Sequence, residues 1–117
     1  MEKTNIEELI SEGKNKTTVY CSRCPSKILN PKTGTHKTVD FKLPHMHYKA
    51  DGDPNEAEEI SDYWAVHDMY IFENIGFSKT VDNFKYLICA DCEMGPIGWF
   101  DIPSKESFVA LSRVKHQ

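Results

Sequence analysis

The residues best suited to chemistry are the four cysteines, and all of them fall into two Cys-x-x-Cys pairs, Cys21-Ser-Arg-Cys24 and Cys89-Ala-Asp-Cys92. A turn with two thiolates at that spacing offers both sulfurs to one ion. Two such turns supply the four sulfurs, each about 2.3 Å from the metal, that tetrahedral Zn²⁺ takes in closed structural sites. The spacing predicts one Zn²⁺ held by Cys21, Cys24, Cys89 and Cys92. A closed four-thiolate site keeps no open position for water, so the metal is expected to be structural and not a Lewis acid. The pairs are 64 residues apart, so coordination would tie the start of the chain to its end and contribute directly to folding. Two disulfides or four unrelated thiols are the competing uses. The opening MEKTNIEELI lacks the charged-then-apolar pattern of an export signal, and a chain expected to stay in the reducing cytoplasm favours metal ligation.

Other chemistry is sparse. The sequence contains no Gly-x-Ser-x-Gly elbow, no Gly-x-x-x-x-Gly-Lys-Ser/Thr phosphate loop and no His-Glu-x-x-His helix. His45 and His47 could clamp a second metal, but they lie in a polar stretch beside Pro44. His67-Asp68 reads as a strand position before it reads as an acid/base pair. With every cysteine committed to the metal, no thiol remains for redox catalysis, and the protein is expected not to be an enzyme. The sequon Asn15-Lys16-Thr17 is discounted, because glycosylation needs a secreted context.

The elements that must position the two pairs follow from pattern. With 117 residues, 39% of them apolar, the chain suits one core and a single domain over 1–117, with an N-terminal arm at 1–13 and an acidic loop at 50–62. No apolar run approaches the roughly 20 residues of a membrane helix. Residues 1–13 read as a short helix, Thr4 and Glu7 forming a capping box and Ile6, Leu9 and Ile10 sharing a face. Thr17 to Cys21, the alternating Val39, Phe41 and Leu43, Tyr63 to Phe72, Asn83 to Cys89, Trp99 to Ile102, and Phe108 to Val114 read as strands. Asn30 to Gly34 has turn chemistry, and Pro44 ends the run before it. The acidic loop has room for one helical turn at Glu56 to Ile60. About seven strands are expected, giving a mainly β fold of antiparallel sheets packed on each other, with each cysteine pair at the end of an apolar strand. No coiled-coil heptad is present, and a monomer is expected.

Charge bears on the partner. The net charge of −4 argues against non-specific nucleic-acid binding, which runs on phosphate neutralisation. Lys14 to Lys49 nevertheless carries eight basic residues and one acidic residue, whereas Asp51 to Asp62 carries six acidic residues and no basic one. That basic tract, with several aromatics, keeps a zinc-ribbon nucleic-acid module as an alternative. A second alternative is a small-molecule reader with an aromatic cage, which Trp64 and Trp99 alone would leave incomplete. The unbroken run Met69-Tyr70-Ile71-Phe72 is either a central strand covered on both faces or a partner surface of thioether and aromatic side chains beside carboxylates. The residues alone do not choose.

The stretch from Tyr63 to Trp99, YWAVHDMYIFENIGFSKTVDNFKYLICADCEMGPIGW, closely resembles the Rab-interacting guanine-nucleotide-releasing factors. This is the family found as suppressors of a yeast secretory Rab mutant, called RABIF in mammals. Its hallmarks are the first knuckle and its apolar strand (Cys21 to Leu29), the phrase D-M-[FY]-I-F-E-N-[VI]-G-F (Asp68 to Phe77), C-A-D-C-E (Cys89 to Glu93) and G-P-I-G-W (Gly95 to Trp99). The likeness runs to Arg113-Val114 and covers about 90 residues; the departures lie in the N-terminal arm and the acidic loop. The resemblance implies a zinc-anchored "β-tent" of antiparallel sheets and binding of the nucleotide-free form of exocytic Rab GTPases, one to one. It also implies a task of promoting GDP/GTP release, or of holding the empty GTPase as a chaperone, in vesicular transport. It implies a partner face containing Asp68, Met69, Tyr70, Glu73, Asn74 and Asp91.

Overall fold

Short β-branched and aromatic runs punctuated by turn residues become short antiparallel strands in the computed structural model, which describes residues 6–50 and 55–117. In chain order these are β1 (Ile10–Ser11), β2 (Lys14–Asn15), β3 (Val19–Cys21), β4 (Lys27–Leu29), β5 (Thr35–Pro44), β6 (His47–Tyr48) and β7 (Ala57–Val66). They continue as β8 (Ile75–Val81), β9 (Phe84–Cys89), β10 (Met94–Gly95), β11 (Gly98–Asp101), β12 (Glu106–Ala110) and β13 (Val114–His116). Eight make one sheet in the order β1-β2-β5-β7-β12-β11-β9-β8; β13-β3-β4 make a second, and β10-β6 a small ribbon. The mainly β expectation holds. There are more strands than the pattern gave, because pieces of two or three residues are too short to leave a period-two signature.

The large sheet is buried on both faces, and the alternation along β7 shows how. Trp64 and Val66 enter one core with Leu87, Cys89 and Val109, closed by Val19, Ile28 and Leu29 of the smaller sheet. Tyr63 and Ala65 enter a second core with Tyr86, Ile88, Trp99, Phe108 and Ala110, together with Leu43 and Ile60. The register of β5 against β7 shifts between Thr38 and Phe41, an irregularity of the kind that bends a strand. Beyond it Phe41 stacks on Trp99 at 4.1 Å, and Trp99 stacks on Phe108 at 4.4 Å. The outer halves of β5 and β7 thus roof the second core. β11 and β12 approach so closely that a Cβ on Gly98 would run into the Phe108 carbonyl oxygen, which is why a side chain is missing there.

Several expected elements differ. In place of a helix over 1–13, Ile6–Leu9 is a single 3₁₀ turn, and Ile10 and Ser11 pair with Asn15 and Lys14 across Glu12 and Gly13. Both of those residues have positive φ, at 55° and 79°, the backbone of a two-residue hairpin turn. Thr4 of the expected capping box lies outside the described residues. Of the acidic loop expected at 50–62, residues 51–54 lie outside the described residues, and from Ala57 the chain is strand, with no helical turn at Glu56 to Ile60. Lys42 lies opposite Glu59 and Phe41 opposite Ile60, so Glu59 faces a cation across the paired strands while Ile60 enters the second core. The strand expected over Tyr63 to Phe72 stops at Val66, and Met69–Ile71 is a 3₁₀ turn. The run expected over Phe108 to Val114 breaks into β12, a 3₁₀ turn at Leu111–Arg113, and β13. Among the described residues no helix is long and apolar enough to cross a membrane.

Candidate metal centre and the face around it

β3 ends on Cys21 and β9 ends on Cys89, so each apolar strand delivers its first cysteine into a tight turn that carries the second. In the first knuckle the Cys21 N–H donates to the Ser26 carbonyl at 2.9 Å, and the Arg23 N–H donates to Cys21 Sγ at 3.3 Å. In the second, the Glu93 N–H donates to the Cys89 carbonyl at 2.8 Å. The backbone N–H groups of Ser26 and Met94 are likewise directed at Cys24 and Cys92. Amides aimed at sulfur stabilise thiolates.

The sulfurs meet across the knuckles. Cys21 Sγ lies 3.6 Å from Cys92 Sγ, Cys24 Sγ lies 3.6 Å from Cys89 Sγ, and all four lie within 4.8 Å of one another. A tetrahedron with bonds of about 2.3 Å has edges of about 3.8 Å, so the donor set fits one tetrahedral ion. No disulfide joins any two of them. Burial raises the Cys21 thiol and pushes Cys92 up to about 12, whereas Cys24 is lowered to about 7, chiefly by the Ser26 hydroxyl 3.3 Å away. A coordinated cation overrides such differences, because a ligating thiol is deprotonated outright. These four residues form the one group among the described residues that could hold a metal ion. His45 and His47 do not join one: the His45 N–H donates to the Glu56 carbonyl, and His47 pairs with Gly95 in the small ribbon.

Asp91 lies between the second pair of cysteines. Its Oδ2 accepts a hydrogen bond from Ser26 Oγ in the opposite knuckle, so its carboxylate spans the two turns. The segment from Asp68 to Asn74 packs beside them. Asp68 Oδ1 accepts from the Tyr70 N–H at 2.9 Å, and the Asp68 carbonyl accepts from the Ile71 N–H at 3.1 Å, which fixes the 3₁₀ turn. Ile71 and Phe72 pack against the first core, while Tyr70 is 97% exposed. The apolar run is therefore neither a covered strand nor a uniform patch. Glu73 is held by Asn30 Nδ2 at 3.1 Å and Lys27 Nζ at 3.2 Å, and Asn74 Nδ2 donates to the Lys27 carbonyl. The Ala90 N–H, inside the second knuckle, donates to the Asn74 carbonyl at 2.7 Å. Asp68, Tyr70, Glu73 and Asn74 thus lie on one segment, with Met69 in its backbone turn, fastened to the strand after the first knuckle and to the second knuckle that carries Asp91.

Sequence reasoning missed Ser26, Lys27 and Asn30, which fasten this region. A hydroxyl two residues beyond Cys24 was the available signal, although nothing in the chain links it to a carboxylate 65 positions away. Trp64 and Trp99 do not share a cage: Trp64 sits in the first core with its Nε1–H donated to His116 Nε2 at 3.0 Å, and Trp99 sits in the second. Within the basic tract, Lys27, Lys37 and Lys49 pair with Glu73, Glu106 and Glu93, which takes cations away from any phosphate-binding stripe. His67 also bonds Glu106, at 3.1 Å. Asn15 of the sequon is fully buried, and its side-chain oxygen accepts from the Thr33 and Gly34 N–H groups. It is a turn anchor closed to glycosylation.

An antiparallel β fold whose two Cys-x-x-Cys knuckles bring four sulfurs together defines the class: a small β protein with a four-cysteine cluster able to hold a metal ion. The chain belongs to the Mss4 protein family, whose profile matches residues 14–116, every strand from β2 onward. It is 42% identical over 118 residues to the guanine nucleotide exchange factor MSS4 homolog of Drosophila melanogaster, covering 99% of this chain and 97% of that one. The Schizosaccharomyces pombe protein of the same description is 32% identical over 99 residues, 84% of this chain and 95% of that one. Protein DSS4 of Saccharomyces cerevisiae is 29% identical across 50% of this chain and 57% of its own.

Proposed function

We propose that this protein is a cytoplasmic guanine-nucleotide exchange factor or holding chaperone for exocytic Rab GTPases. It binds their nucleotide-free form one to one and is stapled by one structural Zn²⁺ on Cys21, Cys24, Cys89 and Cys92. The observation that carries the reading is the anchoring of the Asp68–Asn74 turn to the strand after the first knuckle and to the second knuckle, with Tyr70 held out in solvent. Such a surface is preorganised, so little ordering cost opposes binding. Relatives named as exchange factors support the same reading. Four thiolates at tetrahedral spacing suit Zn²⁺ among the divalent ions.

The mechanism needs no acid, base or bond cleavage. A protein that binds the empty GTPase more tightly than the loaded one lowers nucleotide affinity by the same factor, because coupling is reciprocal. The partner residues Asp68, Met69, Tyr70, Glu73, Asn74 and Asp91 make a face and not a cleft, as differential binding requires.

The test is complex formation with a Rab emptied by brief EDTA treatment and desalted before mixing, so that the chelator never meets the zinc. Complex should form with the empty GTPase and dissociate when excess GDP or GTP and Mg²⁺ are added. Equal binding to loaded and empty Rab sinks the proposal, since nothing would then drive release. Metal analysis of protein purified without added zinc should return about one equivalent, and Cys24→Ser or Cys89→Ser should unfold or aggregate it.

A further inference from the structure

Apart from the sulfurs themselves, one side-chain hydrogen bond described in the structure joins the two knuckle turns: Ser26 Oγ donates to Asp91 Oδ2. Its position is informative. Cys21 and Cys89 are buried against the first core, whereas Cys24 and Cys92 are half-exposed. Ser26 follows Cys24 by two residues and Asp91 precedes Cys92 by one, so the bond lies on the open side of the centre, beside the two cysteines that water and competing ligands can reach. Each knuckle holds two of the four sulfurs, so parting the turns on that side would open the centre.

We propose that Ser26 and Asp91 form an outer-shell latch that closes the two knuckles over the sulfurs and slows loss of the metal. A hydroxyl donating to a carboxylate is among the stronger neutral-to-charged hydrogen bonds. Here it bridges segments 65 residues apart, which no local turn could do. The Ser26 oxygen also lies 3.3 Å from Cys24 Sγ, so the latch sits directly beside one of the two partly exposed sulfurs. Groups that orient metal ligands from the second shell typically change metal affinity 10- to 100-fold when removed; a latch on the exposed side belongs at about the lower end of that range. The inference rests on the zinc reading of the site, and it gives Asp91 a task in the free protein in addition to any contact with a GTPase.

The test is the rate at which zinc-loaded protein transfers its metal to an excess of the chromogenic chelator 4-(2-pyridylazo)resorcinol. Zinc content of the parent, measured first, tests the metal reading by itself, and the rates then test the latch. Ser26→Ala and Asp91→Ala should each release zinc about tenfold faster. The double variant should be no faster than the faster single one, because both remove the same bond. Ser26→Thr keeps the hydroxyl and should stay near the parent rate. Release at the parent rate in either alanine variant overturns the latch. So does a double variant whose acceleration equals the product of the two, which would mean that the side chains act separately.

Discussion

Asn74 Nδ2 donates to the Lys27 carbonyl oxygen at 2.9 Å while the Asn74 carbonyl accepts from the Ala90 N–H at 2.7 Å. One residue thus ties the Asp68–Asn74 turn to the strand after the first knuckle and to the second knuckle. It does so at φ 56°, in the left-handed region that asparagine tolerates better than most residues. Asn74→Gly keeps the backbone and loses the amide; Asn74→Ala loses the amide and adds about 1–2 kcal/mol of backbone strain. Urea denaturation should rank parent above Gly above Ala, and both variants should weaken Rab binding because the turn is loosened. Equal stability of the two variants would show that the left-handed conformation plays no part.

Arg113 is 5% exposed. It donates to the carbonyls of Pro44 at 2.6 Å, Pro96 at 2.7 Å and Leu43 at 3.2 Å, and it pairs with Glu58 at 3.1 Å. Three chain segments therefore converge on one guanidinium between β12 and β13. Arg113→Leu leaves buried carbonyls without donors and should cost at least about 3 kcal/mol. Arg113→Lys, with a point charge in place of a planar fork, should recover part of that. The check is a lowered urea midpoint with unchanged slope; a midpoint within a few tenths molar of the parent contradicts the clasp.

His116 gives the fold a pH dependence of known sign. Its Nε2 accepts the Trp64 indole N–H at 3.0 Å, and burial lowers its pKa below the ordinary 6.5. The unfolded chain therefore binds the proton more readily. The contribution is complete above pH 6.5 and is lost as pH falls from there towards the depressed native value. Stability measured from pH 8 down to pH 5 should decline on the acid side, and the decline should be shallower in His116→Gln, which keeps an acceptor and cannot gain a charge. An identical acid limb in the variant would assign the slope to other groups.

How much of this was legible depends on whether the cause was local. Cys21, Cys24, Cys89 and Cys92 carried their own spacing, so the centre and the mainly β fold could be read directly. Val39, Phe41 and Leu43 alternated long enough to define β5. Glu58 and Glu59 were misread as loop because their strand partners, Leu43 and Lys42, decide the outcome from a distant segment. Residues 1–13 read as a helix, although Glu12 and Gly13 make a hairpin turn between β1 and β2. The bond from Ser26 to Asp91 was invisible for the same reason: nothing in either neighbourhood announces the other. Residues 69–72 misled in a different way. An unbroken apolar run fits a strand, but only the three-dimensional anchor at Asp68 splits it into inward and outward members.

That split supplies the sharpest test of the partner face. Tyr70 and Ile71 are neighbours in one 3₁₀ turn, yet Tyr70 is 97% exposed while Ile71 packs against the first core. Removing a fully exposed ring costs the fold little, so Tyr70→Ala should unfold within about 0.5 kcal/mol of the parent. Ile71→Ala, half-buried, should lose about 1–3 kcal/mol, towards the low end of buried truncations. Binding should follow the reverse order. An aromatic side chain that stands free on a rigid turn is the usual form of an interface anchor, worth about 2 kcal/mol or more when truncated. Tyr70→Ala should therefore weaken the complex with empty Rab by about thirtyfold and slow release of fluorescent GDP. Tyr70→Phe, which keeps the apolar body, should bind within about threefold of the parent if the ring and not the hydroxyl makes the contact. Should Tyr70→Ala bind empty Rab as the parent does, the Asp68–Asn74 turn is not the contact surface, and the partner must engage the second knuckle through Asp91 without it.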